Sequence, residues 1–258
     1  SGGSGIQADL KTFTSLSCFG ASALTAVCAQ GLSKITRVMP LPADLLRAQL
    51  DAVAGSLPLA VVKVGLLADV GAVQAVAAFL KAHPRLPAVV DPVSADATGV
   101  ALNGREVIAA VAAQLLPRAA LATPNRAEAA MLAGMDECLD VDDMERAAEM
   151  IFKRHGCAVV VTGGGLNGGR NVDVLRALDG LSHVDGPAYP RGKVHGSGAA
   201  HSAALAAMLA KGEHLREAVL AARLYTSHAI AAAPTLPDGS GVIWHGVTVR
   251  EAVMVEGK

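Results

Sequence analysis

Short apolar runs alternate with longer stretches of helical spacing along most of the chain. Several short runs, such as Ala88–Val90 and Ala158–Val161, are rich in valine and alanine without polar alternation, which is typical of strands buried on both faces. The predicted strands are Ala21–Ala29, Ile35–Met39, Ala60–Val64, Ala88–Val90, Ala120–Ala122, Ala158–Val161 and Val172–Leu175. The predicted helices are Gln7–Leu16, Ala43–Ala54, Val70–Ala82, Arg105–Leu115, Ala127–Leu132, Asp143–His155, Ala199–Ala210 and Leu215–Ala231. The alternation predicts a single α/β domain over residues 1–258, a three-layer αβα sandwich with a mostly parallel central sheet.

The carboxyl ends of the predicted strands are where an open parallel sheet binds its ligands. Small and polar residues follow four of these strands: Gly65-Leu66, Asp91-Pro92-Val93, Thr123-Pro124-Asn125 and Thr162-Gly163-Gly164. A pocket floor needs such residues, but they also dominate ordinary turns. The glycine-rich stretch Gly163–Asn171 likewise has two interpretations, a lid or a hairpin turn.

Composition narrows the functional classes. Lysine and arginine number 22 against 23 acidic residues, for a net charge of −1, and aromatic residues make up 3%. Nucleic-acid partners are therefore not expected, because they require clustered basic residues or aromatic stacking platforms. The 52% hydrophobic content excludes intrinsic disorder. No membrane span or signal peptide is predicted, and four cysteines without a Cys-x-x-Cys pair favour a reducing cytoplasm.

The sharpest local motif is His195-Gly196-Ser197-Gly198, directly ahead of an alanine-rich helix. Glycines in this position let backbone N–H groups point at a phosphate, and the helix dipole adds to the attraction. The alternative is a glycine turn in which Ser197 caps the helix. His195 and His201 are the nearest titratable side chains in sequence, and we expect both to be solvated.

Two further features carry oxygen atoms that suit a cation. Asn125 and Glu128, three residues apart, could direct two oxygens at a hydrated Mg²⁺, although the same spacing is that of an ordinary capping pair, which we favour. Asp91 is a strand-end carboxylate that could share the metal or position phosphate. Its alternative role is to initiate an Asp-Pro turn.

The N-terminal run changes this picture. Ser1–Gly5 alone would suggest an expression linker, but Gly2–Thr12 (GGSGIQADLKT) resembles the signature of the hydroxymethylpyrimidine/phosphomethylpyrimidine kinases of thiamin biosynthesis, in the ribokinase-like superfamily. The resemblance continues in the family's order through Thr25–Gln30, Lys63–Leu67, Val90–Val93, Thr123–Glu128 and His195–Gly198. It therefore covers nearly the whole chain.

The resemblance implies phosphorylation of 4-amino-5-hydroxymethyl-2-methylpyrimidine, of its monophosphate, or of both, with ATP and Mg²⁺, by a homodimer of ribokinase-like fold. The implied site residues are Asp9 and Gln30 hydrogen-bonding the aminopyrimidine, Leu66 and Val93 lining its ring, Asp91 and Glu128 near the metal, Thr162, Gly163 and Asn125 on the ATP side, and Gly196, Ser197, Gly198 and Ala199 in the anion hole. With so few aromatic residues, we expect apolar contacts and hydrogen bonds to hold the pyrimidine ring.

Three departures from the family pattern matter. Ala199 stands where the family usually has cysteine, so the general base is unassigned, and Thr162 stands where many members have lysine. Members also carry a strand ahead of the first signature, whereas this sequence starts inside it. Two alternatives therefore stay open: a pyridoxal-type kinase of the same superfamily, and a non-catalytic pyrimidine-binding protein that lacks the usual base.

Overall fold

The structure is a computed structural model that describes residues 2–31, 34–95, 99–164, 166, 171–186, 194–236, 239 and 241–247. Its α-helices are α1 (Gly5–Ser15), α2 (Ala43–Ser56), α3 (Val70–Ala82), α4 (Arg105–Gln114), α5 (Arg126–Ala133), α6 (Val141–His155), α7 (Ser197–Ala210) and α8 (Leu215–Ala231). Its strands are β1 (Ala26–Gln30), β2 (Ile35–Pro40), β3 (Val62–Val64), β4 (Ala88–Val90), β5 (Leu121–Ala122), β6 (Ala158–Val161), β7 (Asn171–Ala177), β8 (Gly180–Gly186), β9 (Val194–His195) and β10 (Gly241–Val242).

Six strands form the central sheet in the order β3-β4-β5-β6-β7-β8. Strands β3 to β6 are parallel, and β7 and β8 each pair antiparallel with the preceding strand. Each parallel connection passes through one or more helices, as parallel pairing requires. The carboxyl ends of four neighbouring strands consequently meet at one edge of the sheet.

Helices cover both faces of this sheet. Val89, Leu121 and Val160 pack in one hydrophobic cluster with residues of α7 and α8. Their neighbours along the strands, including Val90 and Val161, pack in a second cluster with residues of α2 to α6. Successive strand residues thus bury their side chains on opposite faces. The predicted three-layer αβα sandwich is confirmed.

The first two predicted strands lie elsewhere than expected. Strands β1 and β2 form a separate antiparallel pair instead of joining the central sheet, and β1 begins at Ala26, not at Ala21. Side chains on β1 alternate between half-buried and exposed, so this strand lacks the two-sided burial of the central parallel strands. Strand β8 and the two-residue strands β9 and β10 were not predicted, because their sequences are short or polar.

Side-chain caps in the sequence set the starts of α3, α5 and α6. Asp69 accepts a hydrogen bond from Ala72 N–H at the start of α3 (2.7 Å), and Asp140 accepts one from Asp143 N–H at the start of α6 (2.8 Å). None of the helices that the structure describes has the length and hydrophobicity needed to cross a bilayer.

Candidate active site

A cavity of about 1620 Å³ opens at the carboxyl ends of β3 to β6. The predicted site residues that line it are Asp9, Gln30, Leu66, Asp91, Val93, Asn125, Glu128, Thr162, Gly196, Ser197, Gly198 and Ala199. Gly163 is the exception, because it is buried and its N–H donates to Asp173 Oδ1 (3.0 Å). The fold therefore gathers residues from the whole length of the chain into one cavity.

The first turn of α7 presents backbone donors to this cavity that have no hydrogen-bond partner among the described residues. Gly196 precedes the helix with a φ of 92°, and the first intrahelical bond runs from Ala200 N–H to the Gly196 carbonyl (3.0 Å). The N–H groups of Ser197, Gly198 and Ala199 lie ahead of that bond. Among the described side chains none caps this turn, so the alternative interpretation, in which Ser197 caps the helix, is wrong. Three N–H groups and the helix dipole make this turn suited to a phosphate.

The glycines of the N-terminal run pack directly against this turn. A Cβ on Gly196 would overlap the carbonyl oxygen of Gly3. A Cβ on Gly3 would lie 2.8 Å from both His195 Cδ2 and Val242 Cγ2. The close approach needs glycine at both positions. The run is thus part of the site's architecture, and the linker interpretation is not supported.

Gln30 reaches the cavity from the end of β1. The register of the β1–β2 pair shifts between Ala29 and Gln30, which sets the Gln30 side chain off the regular ladder. Ser4 Oγ donates to Gln30 Oε1 (3.1 Å), and Gln30 Nε2 lies 3.4 Å from His195 Nε2. These contacts connect the hairpin to the start of α1 and to β9.

Asp9 contacts a lysine that the sequence analysis did not single out. Lys63 Nζ donates to Asp9 Oδ1 (2.9 Å) and Oδ2 (3.1 Å), and it lies 3.9 Å from Asp91 Oδ2. Burial alone would lower the pKa of Lys63, but the two carboxylates outweigh burial and raise it. Asp91 Oδ2 also accepts a hydrogen bond from Ser202 Oγ on α7 (2.9 Å). A charged network therefore crosses the floor of the cavity.

Asn125 and Glu128 form a complete capping box at the start of α5. Asn125 Oδ1 accepts from Glu128 N–H, and Glu128 Oε2 accepts from Asn125 N–H, both at 3.0 Å. Glu128 Oε1 accepts from Ser94 N–H (3.0 Å). The favoured capping interpretation of this spacing is confirmed.

Two buried carboxylates in the site have strongly shifted titration. Burial raises the pKa of Asp91 to about 6, against the opposing effect of Lys63. Burial and the nearby charge of Asp91 raise the pKa of Glu128 to about 7. A cation between them would stabilise both charged forms. Two carboxylates supply only part of a coordination shell, which suits an ion that keeps several waters, as Mg²⁺ does. Within the described residues, no group of three acidic, histidine or cysteine side chains forms a metal cage.

The residues that the sequence analysis placed on the ATP side meet at the ends of β5 and β6. Thr162 pairs with Asn125 as an isolated parallel bridge, and Thr162 N–H donates to the Pro124 carbonyl (3.0 Å). Residues 165 and 167–170 of the predicted lid or turn lie outside the described residues. The strands that this stretch joins, β6 and β7, are antiparallel neighbours.

Behind Gly163 lies a buried polar cluster between β7, α7 and α8. Asp173 has no exposed surface and accepts two hydrogen bonds from Arg223 Nη1, both at 3.1 Å. His201 Nε2 lies 3.9 Å from Asp173 Oδ2, and His201 Nδ1 lies 3.3 Å from Thr226 Oγ1. Burial lowers the pKa of His201, which favours its neutral form. The cluster connects Gly163, at the end of β6, to α7 and α8.

The prediction of solvated histidines is wrong. His201 is 4% exposed and His195 is 9% exposed. His201 faces α8 and β7, while His195 is covered by Gly3 and by Ile243, whose N–H donates to the His195 carbonyl (3.0 Å). Both histidines are therefore buried, although they lie close in sequence to the glycine turn at Gly196–Gly198.

Four polar residues of the site and its surroundings were not predicted from the sequence: Lys63, Asp173, Ser202 and Arg223. Lys63 lies between two valines in β3, and Asp173 lies between two valines in β7. A charge at such a position is rarely buried unless it is paired, so this pattern was a usable signal. Ser202 and Arg223 lie within helices, and nothing in their local sequence marks them.

Relatives of established name cover almost the whole chain. The hydroxymethylpyrimidine/phosphomethylpyrimidine kinase of Rhizobium meliloti (strain 1021) is 41% identical over 240 residues, which are 93% of this chain and 90% of that protein. The structure of Bacillus subtilis pyridoxal kinase in complex with ADP matches with a TM-score of 0.87 at 35% identity, covering 95% of this chain and 92% of the other. The structure of phosphomethylpyrimidine kinase from Clostridium difficile 630 matches with a TM-score of 0.78 at 32% identity, covering 89% and 94%.

The fold and the open helix N-terminus beside a ligand-sized cavity define a small-molecule kinase, a phosphotransferase of ribokinase-like fold. The family model described as phosphomethylpyrimidine kinase matches residues 1–244. The chain belongs to the phosphomethylpyrimidine kinase family.

Proposed function

We propose that this protein transfers the γ-phosphoryl group of ATP to 4-amino-5-hydroxymethyl-2-methylpyrimidine, to its monophosphate, or to both, in thiamin biosynthesis. The observation that carries the proposal is the uncapped first turn of α7, which opens into the same cavity as Asp9 and Gln30. Relatives named for this activity support it, and a related kinase binds ADP.

The pyrimidine lies, in this proposal, between polar and apolar walls. Asp9 and Gln30 supply hydrogen bonds to the ring and its amino group, while Leu66 and Val93 contact the ring faces. Lys63 and Ser4 already hold Asp9 and Gln30 in place. The substrate would thus meet groups that need little reorganisation, which favours binding in one orientation.

Phosphoryl transfer forms a bond between the substrate oxygen and the γ-phosphorus and breaks the bond to the β-phosphate oxygen, so that ADP leaves. The transition state is loose, and catalysis depends mainly on positioning and charge stabilisation. The N–H groups of Ser197, Gly198 and Ala199 would hold the transferring group, with Thr162 and Asn125 on the ATP side. Because these donors are backbone atoms, alanine at position 199 leaves them in place.

The same site would take Mg²⁺. Asp91 and Glu128 would hold the hydrated ion, and Mg²⁺ would supply positive charge that offsets the charge of the triphosphate. Glu128 would act through water, because both of its oxygens already accept backbone hydrogen bonds. The residue that accepts the proton of the attacking hydroxyl is not assigned.

A pyridoxal-type kinase is the second candidate, favoured by the match to Bacillus subtilis pyridoxal kinase. A coupled assay that follows ADP formation with the pyrimidine alcohol, its monophosphate and pyridoxal separates the two. We expect the highest kcat/KM with a pyrimidine. Turnover of pyridoxal alone would replace the proposal with the second candidate, and binding of the pyrimidine by calorimetry without any turnover would favour a non-catalytic binding protein.

We further propose a homodimer in a reducing compartment such as the cytoplasm. Val27 and Met39 pair across β1 and β2, and each is 48% exposed, which gives the hairpin an apolar face for a second copy. Four cysteines with free thiols suit a reducing compartment. Light scattering should give the mass of a dimer, and a monomer that persists at high concentration would contradict the assembly.

A further inference from the structure

Lys63 lies between Asp9, at the proposed pyrimidine end of the site, and Asp91, at the proposed metal end. Its side chain is 4% exposed, and its ammonium contacts the Asp9 carboxylate at 2.9 and 3.1 Å while staying 3.9 Å from Asp91 Oδ2. Asp9 belongs to α1 and Asp91 follows β4, so these contacts join two elements far apart in sequence. Neither the family resemblance nor the relatives' names assign Lys63 a role.

The geometry favours Asp9 over Asp91 as the partner of the lysine. Both Asp9 oxygens accept hydrogen bonds from Lys63, whereas the distance to Asp91 is beyond hydrogen-bond range. Asp91 instead accepts a hydrogen bond from Ser202, which also lies 3.1 Å from the carbonyl oxygens of Gly198 and Ala199. Asp91 is thus held by a neutral hydroxyl of α7, and Lys63 is held by Asp9.

The charges of Asp9, Lys63 and Asp91 determine how strongly Asp91 can attract a cation. Lys63 and Asp9 together carry no net charge, so Asp91 keeps its negative charge beside a neutral pair. If Asp9 were neutral, the buried ammonium would have Asp91 as its remaining nearby carboxylate and would compete there with any other cation. If Lys63 were neutral, Asp9 and Asp91 would repel each other, and Asp9 would lose the donor that fixes its orientation.

We infer that Lys63 is a positioning residue that couples the pyrimidine end of the site to the metal end. It orients Asp9 toward the pyrimidine, and because Asp9 cancels its charge, Asp91 is left available to a divalent cation. This inference rests on the proposed function for the identity of the substrate. The part of the inference that concerns cation binding depends only on the charges of Asp9, Lys63 and Asp91.

The test combines two variants, Asp9→Asn and Lys63→Met, with the double variant that carries both. Binding of Mn²⁺ in the presence of saturating ADP is followed by the paramagnetic resonance signal of free Mn²⁺, and pyrimidine binding is followed by calorimetry without nucleotide. Asp51→Asn and Lys153→Met, at exposed helix positions, are matched controls and should match the unsubstituted protein in both measurements.

We expect Asp9→Asn to weaken Mn²⁺ binding by about tenfold, although Asp9 is not a proposed metal ligand. The double variant should restore Mn²⁺ affinity to within about threefold of the unsubstituted protein, because the charge beside Asp91 is again neutral. Pyrimidine binding should be weaker than in the unsubstituted protein in both single variants, and it should remain weak in the double variant. A purely structural role for Lys63 would not produce recovery of one ligand without the other.

Unchanged Mn²⁺ binding in Asp9→Asn, or no recovery in the double variant, would overturn the inference. If Asp9→Asn does not fold, Lys63→Met alone supplies the test: it should bind Mn²⁺ at least as tightly as the unsubstituted protein, and looser binding would contradict the inference. Failure of the proposed function gives a different result. The unsubstituted protein would then neither bind nor phosphorylate the pyrimidine, whereas the Mn²⁺ measurements would still test the effect of Asp9 and Lys63 on cation binding.

Discussion

The substitution Ala199→Cys tests whether the site lacks only its proton acceptor. Ala199 is the third residue of α7, half-buried, and it lines the cavity. A thiol there would lie within the first helical turn, where N–H groups and the helix dipole lower a cysteine's pKa below about 8.5. A general base contributes about 10²–10⁴-fold to a rate, which corresponds to about 3–5 kcal/mol of activation free energy. We expect kcat for the pyrimidine alcohol to rise within that range.

The assay follows ADP release over a series of pH values, with Ala199→Ser as the matched control. Serine has a similar size, but its hydroxyl does not ionise near neutral pH, so it should give little gain. Activity of the cysteine variant should rise with pH through the pKa of the thiol and should be lost on alkylation. Pyrimidine binding with no gain in turnover would refute the reasoning and would favour the non-catalytic binding protein.

Three further predictions concern stability. Gly196→Ala should lower the free energy of unfolding by at least about 1–2 kcal/mol and weaken ADP binding, because the φ of Gly196 is 92° and a Cβ there would overlap the Gly3 carbonyl. Urea titration measures the stability and calorimetry measures ADP binding; no change in either would contradict the close packing. His245, whose pKa burial lowers to about 4, is neutral in the fold, so stability should fall between pH 6.5 and 4 as the unfolded chain gains a proton; the loss is at most about 3 kcal/mol, and His245→Asn should flatten this dependence in urea titrations at each pH. Asp173→Asn should cost about 3–5 kcal/mol in urea titrations by leaving Arg223 buried without its carboxylate, and Asp173→Asn with Arg223→Met should recover part of the loss; full stability of the single variant would refute the pairing.

Local sequence was sufficient for much of the fold. The valine- and alanine-rich runs predicted β4 and β6 at their observed bounds, because strands buried on both faces need continuous apolar residues. The Asn125–Glu128 spacing predicted its capping box for a similar reason, since both hydrogen bonds form within one helical turn. The hairpin of β1 and β2 was misplaced because apolar content alone does not show which sheet a strand joins.

Within the site, too, local features could be predicted from the sequence, whereas contacts between distant residues could not. Sequence and resemblance together located the uncapped turn at the start of α7, which we propose as the phosphate-binding site, since glycines ahead of a helix act through their own backbone. The partner of Asp9 lies 54 positions away, and the partner of Asp91 on α7 lies 111 positions away. Such contacts exist only when α1, β3, β4 and α7 pack around one cavity. No local pattern encodes which distant charge will be adjacent.

By itself, the sequence determined the strand and helix alternation, the glycine-lined turn at the start of α7 and the absence of cysteine at position 199. Each of these depends on one residue or on a few consecutive residues. Tertiary structure alone decided that Lys63 pairs with Asp9 instead of Asp91, and that His201 is buried beside Asp173. The physical reason is that burial and electrostatic pairing depend on distances between chain segments, and those distances are set only when the layers pack together.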